Sequence, residues 1–395
     1  MVRSFSFGDW NEICRNVPSM PVCSLFLKQQ LTLLSPSQYR SALALPDRSV
    51  EPEAFDIALS SAGLGVRAVC ALPRMGSTGG YPGSAGNAPN IVACIFAIIL
   101  GIVLASLASK RAAAVARWEI RTFFIVFSLQ YLFQLLSTGS FIRQGSAGIV
   151  WVTAIQLGLV LVLFWTLAWA VFLQVQLIED GTRASIIPYS IMSILLFIGF
   201  TYICLDTGFS ISGYFDTTPQ TLHNTALYVF LFIFCGLFVL FSVVVGAWVS
   251  GMFLRERRPL FLYSASFLFF ILSQAAMWAL SQAVCRSSTS TIDGSFISTL
   301  CSIISVIFFY YAWKSVTEDT WDEVQTSSEY GGRIDSSRYS QGPLLGGVGH
   351  GTTTGYGSQS GYGTATSASQ VPSSGPYMQE TSTLQSNYPY HDHRT

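Results

Sequence analysis

Charge is what this chain has least of. Only 11% of its 395 residues are Asp, Glu, Lys or Arg, and 21 basic side chains balance 21 acidic ones to a formal net charge of zero. A soluble domain of this size carries about twice that fraction. The balance leaves no electrostatic footing for nucleic acid or for a polybasic lipid anchor, and nucleic acid is set aside as a partner. Histidine is scarcer still, with four in the whole chain, and no His–Cys spacing matches a common zinc motif. No cofactor or metal is expected.

What is abundant is apolar sequence. Seven stretches, 91–109, 122–138, 149–177, 185–205, 226–254, 259–284 and 295–313, contain no Lys and no His. Each is near the ~20 residues that an α-helix needs to cross about 30 Å of hydrocarbon. The fold class is therefore an all-α polytopic membrane protein with seven transmembrane helices.

Orientation follows from the short loops. Lys110, Arg111, Arg117, Arg121, Arg183, Arg255, Arg257 and Arg258 lie on one side, against Arg143 and Arg286 on the other. By the positive-inside rule the richer side is cytosolic, so the N-terminus is luminal and the C-terminus cytosolic. The start does not read as a cleavable signal peptide, because Asp9, Glu12 and Arg15 interrupt any apolar core. The chain divides into a luminal region, 1–90, a seven-helix domain, 91–315, and a cytosolic part, 316–395. The last of these opens on acids and passes into a Ser/Gly/Tyr-rich tail from about 326 that cannot bury enough apolar area to order itself. Asp9 is placed to cap a short helix beginning at Trp10. Residues 28–63 show no sustained period, with Pro36, Pro46 and Pro52 interrupting any helix.

Four cysteines, Cys14, Cys23, Cys70 and Cys285, fall on the luminal side. In an oxidising compartment they form two disulfides, with three connectivities open. Cys94, Cys204, Cys235 and Cys301 lie inside spans as small apolar groups.

Catalysis needs convergent titratable groups, and the spans supply almost none. Glu119 reads as an interfacial acid partnered by Arg117 or Arg121. Glu179 and Asp180 stand just past the third span, and Asp293 at the luminal start of the seventh. The informative polar residues are amides: Gln130 and Gln134 one turn apart, Gln156, Gln274 and Gln282. Amides in hydrocarbon are costly unless paired, so these should face other helices, as packing contacts or as a docking surface. Trp165 and Trp169 share a face of the third span. A retinal protein lacks its lysine here. A seven-span receptor or sensor keeps the right topology, although the usual Asp/Glu-Arg-Tyr and Asn-Pro-x-x-Tyr signatures are missing. A transporter would show broken helices or midplane charge, and neither is evident.

A set of motifs in a fixed order then carries a resemblance. These are Phe7-Gly8-Asp9-Trp10 with Cys14 and Cys23, Arg117-Trp118-Glu119-Ile120, Gln156-Leu157-Gly158-Leu159, and Gln176 through Glu179-Asp180-Gly181-Thr182. Ser273-Gln274, Cys285, Asp293-Gly294 and Tyr311-x-Trp313 follow. Together they resemble the fungal chitin synthase export chaperones over residues 5–25 and about 65–323. Residues 28–63 read as an insertion relative to that family, either a lineage-specific loop or an intron retained in the gene model. The resemblance implies a non-catalytic membrane chaperone of the endoplasmic reticulum. Its client is a polytopic chitin synthase that it helps to fold and leave for the cell surface, supporting cell wall chitin; the receptor or sensor is the alternative.

On this reading the third span is a central helix carrying Gln156 and Gly158 near one end and Glu179 and Asp180 at the other, about 34 Å away along one continuous helix. Gly181 would end that helix and Thr182 or Ser185 would cap the next. Gln156, Gly158, Glu179, Asp180, Gly181, Thr182 and Gln274 are the candidate client-contact or structural residues. Glu318, Asp319, Asp322 and Glu323 form a candidate diacidic export signal for vesicle coat components.

Overall fold

The computed structural model describes residues 7–17, 19–33, 70, 87–111, 114–139, 141–142, 145–178, 181–215, 222–253, 257–288 and 292–331. Seven of its helices are long and apolar enough to cross a membrane: Ala88–Ser109, Arg117–Thr138, Ala147–Leu173, Arg183–Phe209, Thr225–Gly251, Arg257–Ser287 and Gly294–Val316, here the first to seventh spans. Two short helices precede them, α1 (Asn11–Asn16) and α2 (Val22–Leu33). The backbone satisfies its own hydrogen bonds within each helix, which hydrocarbon demands of any crossing segment.

The seventh span packs on the sixth and the first, the first on the second, and the second on the third. The third then meets the fourth, the fifth and α2. In the third span 56% of the apolar window is buried, against 17% in the fourth, fifth and sixth, so the third is the centre and those three form the rim. Small residues permit the closest approaches. A Cβ on Gly158 would collide with Thr201 Oγ1 and meet the Phe197 ring at 3.0 Å, so glycine there lets the third and fourth spans touch. Gly294 is similarly pressed against the backbone of the sixth span, at Ala276 and Ser281.

The start of the chain is folded onto one end of this bundle. Gly8, with φ of +87°, turns the chain so that its carbonyl accepts from Asn224 N at 2.9 Å, while Trp10 N donates to Leu222 O at 3.0 Å. The fully buried Trp10 donates its indole N–H to Asn224 O at 3.1 Å and packs its ring against Phe26, Tyr228 and Phe232. Asn224 in turn caps the fifth span, accepting from Leu227 N at 3.0 Å. Asp9 accepts from Asn11 N at 2.9 Å, and the helix begins at Asn11, one residue later than expected. Cys14 and Cys23 are bonded, as are Cys70 and Cys285, which selects one of the three pairings.

Several expectations need correction. Residues 28–33 are helical as the end of α2, where Gln29 and Gln30 are buried; residues 34–63 lie outside the described set. The third helix stops at Leu173 and does not run on to Glu179. Its last turn tightens through Gln174 N to Val171 O, Val175 N to Phe172 O and Gln176 N to Leu173 O, and Gln176 reverses the chain at φ +59°. The fifth and sixth spans are interrupted by π-helical turns at Val229–Phe234, Val249–Phe253 and Ala276–Leu280. The last helix continues past the apolar stretch, from Gly294 to Gly331, so the acidic segment and residues 326–331 are helical. Residues 332–395 lie outside the described set.

Candidate functional site

A cavity of about 840 Å³ opens among the second, third, fifth, sixth and seventh spans. It occupies the thin seam where the fifth span meets the sixth, beneath Ser19, Met20 and Pro21 of the loop between α1 and α2. Its wall is mostly aromatic and aliphatic, with Phe127, Leu157, Phe164 and Phe270 among the lining side chains. Gln130, Gln134, Gln156 and Gln274 add amides to it. Among the described lining residues none is charged.

The amides sit where two hydrogen-bonded layers meet. Gln130 Nε2 donates to Gln134 Oε1 at 3.0 Å, and Gln134 Nε2 reaches Thr299 Oγ1 at 3.4 Å. Thr299 donates to Asn90 Oδ1 at 3.0 Å, and Asn90 Nδ2 donates to Thr138 at 3.1 Å, so the first, second and seventh spans are knitted together. Ser137 donates to Gln156 Oε1 at 2.6 Å, joining the second span to the third. The sixth and seventh spans are zipped by Ser273 with Ser298 and Ser302, and by Ser266 with Ser305. Cross-helix bonds of this kind contribute on average about 0.6 kcal/mol each in a bilayer. Gln274 differs from expectation: it accepts from Trp278 Nε1 of its own helix at 3.1 Å and otherwise faces the cavity.

At the cavity's capped end, Asp293, just before the seventh span, is fully buried. It accepts from Ser19 Oγ, from Asn87 Nδ2 at 3.2 Å and from Ser295 Oγ at 2.5 Å. A carboxylate is tolerated there because three donors replace its hydration. Asp206, which sequence reasoning missed, is also fully buried; it ends the fourth span by accepting from Ser212 N at 2.6 Å, Ser212 Oγ at 2.9 Å and Phe215 N at 3.3 Å. A lone acid six residues before a serine was the available signal.

At the opposite end Glu119 is buried beneath the head of the fourth span and accepts from Ser185 Oγ at 3.3 Å. That bond gives Ser185 a role other than capping. Thr182 stands at the cap position, its carbonyl accepting from Ser185 N and Ile186 N. Gly181, at φ +73°, turns the chain into the fourth helix instead of ending the third. Glu179 and Asp180 lie outside the described residues. The end of the third helix is held by Tyr263 Oη donating to Gln174 Oε1 at 2.8 Å, and Trp313 donates to Val115 O at 2.9 Å. Trp165 and Trp169 pack against each other at a tilt of 38° and reach Phe238 and Tyr189, so they bind the fifth and fourth spans to the third. The helix through Glu318, Asp319, Asp322 and Glu323 is described, their side chains are not. Among the described residues no three His, Cys, Asp or Glu side chains cluster as a metal site.

The sequence profile described as chitin synthase export chaperone matches residues 6–327. A relative named chitin synthase export chaperone from Neurospora crassa is 26% identical, covering 79% of this chain and 77% of its own. One of the same name from Kluyveromyces lactis is 25% identical over 85% of this chain and 97% of its own. A third, from Candida glabrata, is 28% identical over 56% of this chain and 70% of its own. No solved structure matches the chain significantly.

Proposed function

The chain belongs to the chitin synthase export chaperone family, and from that premise we propose that it is a multi-pass chaperone of the endoplasmic reticulum that assists a chitin synthase to fold and leave for the cell surface. The observation that carries this reading is the family match across residues 6–327, which spans the N-terminal cap and all seven spans. The chemistry of the bundle supports it. Among the described residues the interior offers amides and hydroxyls in place of a convergent acid–base set, so the chain acts by contact with another embedded polypeptide and performs no reaction of its own. The relatives lend the receptor reading no support.

The finer parts of the reading rest on sequence and chemistry. The N-terminus is luminal and the C-terminus cytosolic, by the excess of basic residues in the alternate loops. Two disulfides favour the same assignment: Ser19, between Cys14 and Cys23, bonds Asp293, a few residues beyond Cys285, so both bridges belong to one end of the bundle. The segment 179–182, between the third and fourth spans, is the client contact. The helical extension bearing Glu318, Asp319, Asp322 and Glu323 recruits vesicle coat components. The test is imaging of a fluorescent chitin synthase in cells lacking this protein. Retention in the endoplasmic reticulum, relieved by restoring the full chain, supports the proposal; normal surface delivery without it refutes it.

A further inference from the structure

The seam cavity has more space and more unanswered polarity than helix packing requires. Gln130, Gln156 and Gln274 each commit one amide atom to a protein partner, Gln134, Ser137 and Trp278 respectively. The second amide atom of each has no protein partner among the described residues. Gln156 is 2% exposed and Gln130 7%, while Gln274 is half-buried, and all three line the cavity. An amide group facing hydrocarbon without a partner is unfavourable, and three lining one cavity mark a place where something else supplies donors and acceptors.

Three properties of the wall define that occupant. Its lining is dominated by carbon, with Phe123, Phe127, Phe164, Phe267, Phe270 and Phe309 contributing rings, so the bulk of the ligand is hydrocarbon. Among the described residues the wall holds no Lys, Arg, His, Asp or Glu, so it has nothing to neutralise a phosphate, a carboxylate or a quaternary amine. The nearby acid Asp293 is already engaged by Ser19, Asn87 and Ser295. The volume, about 840 Å³, lies within the roughly 300–1,000 Å³ of small-molecule sites.

We propose that the seam cavity is a binding site for an uncharged, hydroxyl-bearing membrane lipid, its hydrocarbon body among the aromatic rings and its hydroxyl among Gln130, Gln156 and Gln274. A hydroxyl both donates and accepts, which suits amides whose remaining atoms include donors and acceptors. Entry is lateral, through the fifth–sixth seam. Sterols and diacylglycerols share this chemistry. The ligand is a lipid and not the client, and its binding is read without any synthase present, so the proposal stands or falls independently of the chaperone reading.

The experiment is photolabelling of the purified full-length chain in neutral detergent. Alkyne-tagged photoreactive probes of a sterol, a diacylglycerol and phosphatidylserine are used, with peptide mapping and competition by the matching unlabelled lipid. Gly246→Leu fills the cavity: a Cβ there meets only Val171, at 3.8 Å, so the substitution enters open space. Gln156→Leu removes one amide, while Ser137 keeps its second bond to Gln134 O. Monodispersity and helical circular dichroism establish that each variant is folded. The expected result is competable labelling by the sterol or the diacylglycerol on peptides of the third, fifth or sixth span. Gly246→Leu should reduce it at least fivefold and Gln156→Leu about threefold, with little labelling by phosphatidylserine. Preferential labelling between the two neutral probes identifies the source. Labelling spread over the outer faces of the first and fourth spans and unchanged in both variants overturns the proposal, as does preference for the anionic probe. If Gly246→Leu does not fold, the Gln156→Leu comparison decides alone.

Discussion

Ser19 donates its hydroxyl hydrogen to the carboxylate of Asp293, tying a loop near the N-terminus to the head of the seventh span. Ser19 lies within the loop closed by the Cys14–Cys23 disulfide and Asp293 anchors Asn87 before the first span, so one carboxylate holds three parts of the chain. Asp293→Ala should leave the Ser19 donor buried without its acceptor and Asn87 Nδ2 with Ser295 Oγ alone, and cost about 3 kcal/mol. Thermal unfolding of the detergent-solubilised protein checks this. Asp293→Asn, which retains an acceptor, should recover part of the loss.

The covalent frame predicts a thiol count. Of the eight cysteines, Cys94, Cys204, Cys235 and Cys301 are free. Denatured, unreduced protein should therefore take up four maleimide tags, and reduced protein eight, by mass spectrometry. The Cys14–Cys23 loop is short, and its removal should cost about 2–3 kcal/mol in the chain-entropy description.

Trp10 anchors the N-terminal cap by one indole bond and three ring contacts. Trp10→Ala should cost about 3–5 kcal/mol, the range for deleting a buried large aromatic. Limited proteolysis should then cut between the cap and the first span at lower protease concentration. Trp10→Phe should be milder, because it loses the bond to Asn224 O and keeps most of the packing.

The turn after the third span and the acidic helix separate binding from export. Glu179→Gln with Asp180→Asn should lower co-purification of chitin synthase several-fold, without affecting insertion of this chain. Alanine at Glu318, Asp319, Asp322 and Glu323 should leave co-purification intact and slow departure of the complex from the endoplasmic reticulum, measured by a vesicle-budding assay. Wild-type behaviour of either variant removes that part of the account.

The crossings were legible because hydrocarbon penalises charge so heavily that each span is written as an uncharged run. Its interruptions were harder to read. The π-turns at Val229–Phe234 and Ala276–Leu280 lie in apolar sequence with no Pro to mark them. Glu119 and Asp293 show the same limit. Each stands at the edge of an apolar run, where interfacial placement is the rule, and only the neighbouring fold supplies the Ser185 or the Ser19 and Asn87 donors that permit burial. Gly181 was assigned to the wrong helix because a glycine after an apolar run signals an end, whereas here Gln176 adopts the left-handed conformation first. The cavity was not legible at all: its amides were visible one at a time, and their convergence depends on how five helices meet.

The most direct test of the account is reconstitution. Chitin synthase is synthesised in a cell-free system into lipid vesicles with or without the purified chain, and the fraction reaching a protease-resistant, active form is measured. The account predicts a rise of several-fold with the chain present and no sugar polymerisation by the chain alone. An unchanged folded fraction, or polymer formed without any synthase, would contradict it.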